Sequence, residues 1–237
     1  MVINRKLNIK RYREIITVFA KHGFGLIIDQ LGIFDYLKMK KHGTEAENSN
    51  SKLSVGERLR ISLEELGPTF VKIGQILSTQ VDIVPRDIVE ELKKLQSSVQ
   101  PFSYNEAKSV IESEFEDTLE NIFKEFSQEP IASASISQVH YAVLNSGEKV
   151  AVKVQRPGIE KVISQDLNIL RDLAYFVDNH TKFGKIYDFS SMVNEFEYTI
   201  KNELDFTREG ENADTFRDNF SKDKVVKVPE VNWTYTS

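Results

Sequence analysis

The spacing of apolar residues changes once along this chain, and that change bounds the folds open to it. Up to about residue 126 apolar side chains recur at helical spacing, as Phe70, Ile73 and Leu77 do at i, i+3 and i+7. Between 128 and 156 the period falls to two. Val139, Tyr141 and Val143 alternate with Gln138, His140 and Ala142, and Val150, Val152 and Val154 alternate with Ala151 and Lys153. Asn145-Ser146-Gly147 between the two runs is a hairpin turn signal. Successive strand side chains face opposite ways, so the segment reads as strand, loop, strand, tight turn, strand inside an otherwise helical chain. An α+β fold with a small antiparallel sheet follows.

Capping signals divide the helical part. Ser54 with Glu57 and Ser103 with Glu106 are capping boxes, in which the serine hydroxyl and the carboxylate three residues on satisfy each other's backbone N–H. Gly67-Pro68 breaks the chain, and Pro68 suits the first position of a new helix because its missing N–H is not needed there. Pro85 opens a helix through Leu95, and Asp117 caps a short helix ending near Phe126. Pro157-Gly158 closes the last strand. Helical patterns follow at 159–179 and 189–218, then a strand-like run at 225–231. The polar stretch 43–52, GTEAENSNSK, is a linker or exposed loop. The expected divisions are N-terminal helices at 1–42, a linker at 43–53, a helical extension at 54–126 and a sheet-bearing domain at 127–237.

Composition removes several functions. The 237 residues carry 36 acidic and 31 basic side chains, a net charge of -5, which argues against a nucleic-acid partner for the chain as a whole. The chain has no cysteine, so thiolate catalysis, disulfides and cysteine-based zinc sites are excluded. His22, His42, His140 and His180 show no metal-ligand spacing. No apolar stretch reaches the roughly 18 residues of a membrane span, and a cytoplasmic location is expected. The first helix is basic: Arg5, Lys6, Lys10, Arg11, Arg13 and Lys21 face one acid, Glu14. It is either a solvated face packed on its own domain or a peripheral contact with an anionic membrane surface.

Lys153 is the residue that invites a chemical reading. Its strand neighbours Val152 and Val154 are apolar, so its ammonium shares the opposite face with Ala151. On the wet side of a sheet this is unremarkable; on an enclosed side the charge needs a partner or an anion. The small-residue run Ala132-Ser133-Ala134-Ser135 precedes it, and small residues let backbone N–H groups approach a phosphate. A strand-loop-strand cover followed by a lysine strand is the nucleotide-holding arrangement of protein kinases, in which a helix supplies a glutamate to the lysine. Glu203, Asp205 and Glu209 in the 189–218 helix are the candidates, Asp205 and Glu209 four apart on one face. A solvated acidic face with Lys201 and Arg208 as local partners is the plain alternative.

Four motifs in order give a resemblance. Residues 66–75, LGPTFVKIGQ, are similar to the KxGQ motif of the UbiB (AarF) family of atypical kinase-like proteins. Residues 130–140, PIASASISQVH, resemble that family's alanine-rich loop, 150–158, VAVKVQRPG, its nucleotide-lysine strand, and 203–209, ELDFTRE, its ExD motif with the helix-C glutamate. The resemblance implies a protein-kinase-like N-lobe, a small antiparallel sheet plus helix C, behind an all-helical N-terminal extension. It implies that Lys153 holds the phosphates of ATP or ADP and pairs with Glu209, that Ala151 lies against the adenine, and that Ala132, Ser133, Ala134 and Ser135 close over the phosphates. Lys72 and Gln75 would form a regulatory lid meeting Glu203 and Asp205 where a protein substrate lies in an ordinary kinase. A dense set of charges such as Lys72, Lys153, Glu203, Asp205 and Glu209 can be buried only as a paired network. Members of the family are tied to isoprenoid quinone metabolism, ubiquinone-type, and to membranes, so a lipid-like substrate is implied.

Two departures qualify it. Ser133 stands where alanine is typical, and Ser137 where glycine is typical; the Cβ of Ser137 would resist a positive φ. No catalytic aspartate, metal-binding asparagine or DFG-type aspartate follows Glu209: Asp214, Asp218 and Asp223 lie in no such motif. Mg²⁺ ligands and catalytic residues are therefore expected in a C-terminal lobe or a partner chain, and this chain reads as the N-terminal portion of a kinase or ATPase. A truncated, non-enzymatic regulatory or binding module is the other reading.

Overall fold

The computed structural model describes residues 5–40, 53–82, 84–96 and 100–237. In chain order the helices are α1 (Arg5–Phe19), α2 (Gly25–Gln30), α3 (Ile33–Tyr36), α4 (Val55–Leu66), α5 (Pro68–Leu77), α6 (Arg86–Leu92), α7 (Tyr104–Phe115) and α8 (Leu119–Ile122). Strands β1 (Phe123–Phe126), β2 (Ala132–Ser133), β3 (Ser137–Leu144) and β4 (Lys149–Gln155) follow, then α9 (Ile159–His180), α10 (Phe189–Leu204) and α11 (Phe206–Asn219). They form two compact units, Met1–Gln100 with Gly158–Phe196, and Pro101–Pro157 with Glu197–Ser237. The boundary expected at 126/127 is thus not the division: α7 and α8 belong with the sheet, α9 returns to the helical unit, and α10 contributes to both. The linker expected at 43–53 lies, except for Leu53, outside the described residues.

The helical unit is built on two apolar clusters. Tyr12, Ile15 and Val18 of α1 pack with Leu63 and Leu66 of α4, Phe70 and Val71 of α5, Leu92 of α6, Leu95 just after it, and Ile169 of α9. Ser54 and Pro68 start their helices as their chemistry requires, Ser54 through a complete capping box and Pro68 in the first turn of α5. A second cluster joins Ile16, Ala20, Ile28, Ile33, Phe34 and Val177. It forms because the chain bends sharply after α1 at Gly23, whose φ of +86° is open to glycine at little cost. Arg11 does not lie on the basic surface expected of α1. Its Nε donates to Asp166 Oδ1 at 2.8 Å and its Nη2 to the Leu66 carbonyl at 2.6 Å, and its guanidinium lies 5.7 Å over Phe70. The hydrogen bond it donates to Asp166 holds Arg11 above its ordinary pKa. Lys21 pairs with Glu65 at 3.0 Å, whereas Lys10 and Arg13 are exposed; the side chains of Arg5 and Lys6 lie outside the described residues. Among the described residues no helix is long and apolar enough to cross a membrane.

The other unit is a four-stranded antiparallel sheet with α7 on one face. β3 is its centre, paired along one edge with β1 and β2 and along the other with β4. Val150, Val152 and Val154 pack with Phe102, Ala107 and Ile111 around α7, so the period-two pattern reports the buried face. That face also carries a polar chain. The Phe102 N–H donates to Gln138 Oε1 at 3.1 Å, Gln138 Nε2 lies 2.8 Å from His140 Nε2, and His140 Nδ1 lies 2.8 Å from the Ser127 carbonyl. The amide must donate to Nε2, so the ring carries its proton on Nδ1 and donates to Ser127. Fully buried polar groups are tolerable only when paired in this way.

Three expectations fail. Phe123–Phe126, read as the end of a helix, is β1: Phe123 and Phe126 pack into the sheet core, and β3 supplies a ladder that local propensity cannot foresee. The single helix expected at 189–218 is two, because Asp205 adopts extended geometry (φ −88°, ψ 94°) and caps α11. The strand-like run at 225–231 opens in a bend and has no partner strand among the described residues. Instead Trp233 Nε1 donates to Asp214 at 2.8 Å, and Tyr235 packs against Phe115 and Phe123.

Candidate functional site

The β3–β4 hairpin sets out the face opposite α7. Its register places Tyr141 beside Ala151 and Val139 beside Lys153, and β2 adds Ala132 beside Val139. Directly opposed side chains in an antiparallel pair share a face. Ala132, Val139, Tyr141, Ala151, Lys153 and Gln155 therefore form one surface. Ala151 is exposed and small, which leaves room above it. Val139 and Tyr141 were not singled out from the sequence, though their alternation contained the signal.

The small-residue loop turns back on itself through the Ala134 N–H, which donates to the Ser137 carbonyl at 2.8 Å. Ser135 and Ser137 are buried. Ser137 begins β3 with an ordinary φ, so the steric objection to a serine there does not arise. Ser133 is paired with Gln138 and so faces the α7 side; its hydroxyl is buried and has no hydrogen-bond partner among the described residues. Any approach of this loop to a phosphate is by backbone and by the Ala132 face.

Lys153 meets two groups on one turn of α11. Its ammonium donates to Glu209 Oε2 at 2.5 Å and lies 4.4 Å from the centroid of the Phe206 ring. Phe206 and Glu209 stand at i and i+3, which puts both on the side of the helix facing the strand. The corner before α11 is fixed from the same strand: Gln155 Nε2 donates to the Leu204 carbonyl at 3.0 Å. Asp205 does not act as a second acid on the Glu209 face. Its carboxylate accepts from the Arg208 N–H at 2.9 Å and caps α11. Gly210 allows the Trp233 ring to pack on α11 next to Glu209; a Cβ there would lie 2.8 Å from it. The Lys153 and Glu209 side chains are 33% and 55% exposed, so the pair is a surface one. Such a pair contributes about 0–1 kcal/mol to stability, and a larger role has to be sought in ligand binding. Lys201 and Arg208 pair elsewhere, with Glu197 at 2.7 Å and Asn202 at 2.6 Å.

Lys72 and Gln75 lie on α5 in the helical unit, while Glu203 and Asp205 belong to the sheet-bearing unit. Gln75 Nε2 donates to the Leu95 carbonyl at 3.1 Å, and Lys72, Gln75, Ile76 and Thr79 line an open depression. The glycine of this motif has a packing reason. A Cβ on Gly74 would lie 2.3 Å from Leu95 and 2.8 Å from Leu63, so α5 seats against both only without one. Among the described residues no group of three or more His, Cys, Asp or Glu is placed to hold a metal ion.

Comparison with known proteins supplies the class. Residues 94–237 match the ABC1 atypical kinase-like domain, more than half of the chain, and the chain belongs to that family. It is 47% identical over 185 residues to the "Probable protein kinase UbiB" of Marinobacter nauticus, covering 78% of this chain and 34% of that one. It is 41% identical over 207 residues to "Protein ACTIVITY OF BC1 COMPLEX KINASE 7, chloroplastic" of Arabidopsis thaliana, covering 86% and 30%. The structure of the Rv3197–erythromycin complex from Mycobacterium tuberculosis is similar over 71% of this chain and 43% of that one, with a TM-score of 0.49 and 29% identity. The chain spans about a third of the length of the curated relatives it matches. A helical extension followed by a small antiparallel sheet and helix C is thus the N-lobe architecture of an atypical kinase-like protein.

Proposed function

We propose that this chain forms the nucleotide-cradling part of a UbiB-type kinase or ATPase that binds ATP or ADP with Mg²⁺ and serves isoprenoid quinone metabolism at a membrane surface. The observation that carries the reading is Lys153 held by Glu209 on a sheet face it shares with Ala132, Val139, Tyr141, Ala151 and Gln155. The residues fit the group: Ala151 leaves space for a flat base, and the lysine stands two residues further along the strand, about 6.6 Å away. A bound Mg-nucleotide would supply the transferable phosphoryl group. Lys153 would donate to its phosphate oxygens, Glu209 would hold the ammonium ready, and Val139 and Tyr141 would exclude water beside the base. Lys72 and Gln75 would serve the nucleotide response as a regulatory element of the helical unit. The Mg²⁺ ligands would come from the nucleotide and from the region the longer relatives possess.

Titration calorimetry of this 237-residue chain with MgADP tests the reading. Binding is expected to be weak, above micromolar, because half of a kinase cleft lies outside the N-lobe. Lys153→Met is expected to weaken it a further 10- to 100-fold, the worth of one hydrogen bond to a charged group, about 1.5–3 kcal/mol. Equal binding by the two proteins would sink the proposal, and submicromolar binding would contradict the half-cleft account.

A further inference from the structure

Phe206 carries no role in the nucleotide reading, yet its ring lies against the ammonium of the lysine on which that reading depends. The Lys153 ammonium lies 4.4 Å from the ring centroid while donating to Glu209 at 2.5 Å. Both partners sit on the first turn of α11, whose start is fixed twice, by the Asp205 cap and by Gln155 holding the Leu204 carbonyl. A lysine is a flexible four-carbon stem, and one surface carboxylate does not by itself hold its end in place. A ring face adds a second, soft anchor that attracts the cation without consuming any of its three N–H donors.

We infer that Phe206 is a positioning residue for Lys153: an aromatic shelf that keeps the ammonium on α11 while leaving its donors free for a phosphate. A second carboxylate at this position would hold the ammonium more tightly but would repel a polyanionic ligand; the ring does not. The shelf itself is independent of what binds, whereas its consequence for nucleotide affinity rests on the proposed function.

The test uses the 237-residue chain with Phe206→Leu, Phe206→Tyr and pentafluorophenylalanine at 206, which keeps the ring's shape and reverses its quadrupole. The first readout needs no ligand: pulse acetylation by acetic anhydride, quantified at each lysine by mass spectrometry. Lys153 is expected to acetylate about two- to five-fold faster in the leucine and pentafluoro proteins, the range a partly exposed cation–π contact supplies, and at the parent rate in the tyrosine protein. Lys149 and Lys161 serve as internal controls. Should the leucine protein fail to fold, the pentafluoro protein decides alone. An unchanged Lys153 rate in the pentafluoro protein overturns the inference, because the ring then acts only as bulk. The second readout is MgADP affinity in parent and Lys153→Met backgrounds. Phe206→Leu is expected to weaken binding in the first and to have no effect in the second. An equal effect in both means that Phe206 does not act through Lys153. If the parent chain itself shows no binding that depends on Lys153, the nucleotide reading falls and the acetylation result still judges the shelf.

Discussion

Gly74 shows how much of a motif can be packing. Its Cα lies where α5 crosses Leu63 and Leu95, and both leucines are buried. Gly74→Ala therefore sets two effects against each other. Alanine gains about 1 kcal/mol of helix propensity over glycine, while forcing a methyl into a filled core costs about 1–3 kcal/mol. A net loss of about 1 kcal/mol is expected in urea denaturation; a stabilised variant would show that the leucines yield freely. The motif glycine is legible in the sequence, but its reason is not, since Leu95 lies 21 positions away. Lys153 was more open to reading. Strand alternation alone put it with Ala151 and away from the valines, and the register agrees. What the alternation could not tell was exposure: it left open whether the Lys153 face is wet or enclosed, and the Lys153–Glu209 pair lies at the surface. Phe206 escaped notice because an aromatic residue in an amphipathic helix reads as core, and only its i, i+3 relation to Glu209 marks it otherwise.

At the scale of elements, local chemistry was legible and long-range pairing was not. Both capping boxes and the Pro68 start are written in four or five consecutive residues, and each stands where expected. β1 depends on β3 nearly twenty residues later, and the 225–231 run has strand composition but pairs with no strand among the described residues. The start of α10 illustrates a cap that sequence proximity hides. Asp178, on α9, accepts from the N–H groups of Phe189 and Ser190 at 3.0 and 2.9 Å and from the Ser190 hydroxyl at 2.5 Å. Burial pushes its carboxyl up, but these hydrogen bonds outweigh that and hold it below the ordinary value. A depressed carboxyl stabilises the fold above the unfolded value, about 3.9, and the contribution is lost as pH falls through the folded value. Asp178→Ala is expected to cost about 1 kcal/mol near neutrality and progressively less below about pH 4. A penalty unchanged between pH 7 and pH 3 would show that the charge is not what caps α10.

On the scale of the whole molecule, the division into units was the least legible feature. The sheet-bearing unit takes α7 and α8 from before the sheet and leaves α9 to the helices. A linear reading draws one boundary where the chain changes period; tertiary packing returns it twice. The family was legible because its four motifs lie in order, and the membership is now independent of any one of them. The central claim, that this N-lobe presents Lys153 to nucleotide phosphates, is tested most directly by labelling with an acyl-phosphate derivative of ADP, which transfers its acyl group to an amine held against the phosphates. The account predicts that Lys153 is the dominant site, that excess MgADP suppresses the label, and that Lys149 and Lys161 remain nearly unmodified. Label spread evenly over these surface lysines, or indifferent to MgADP, would contradict it.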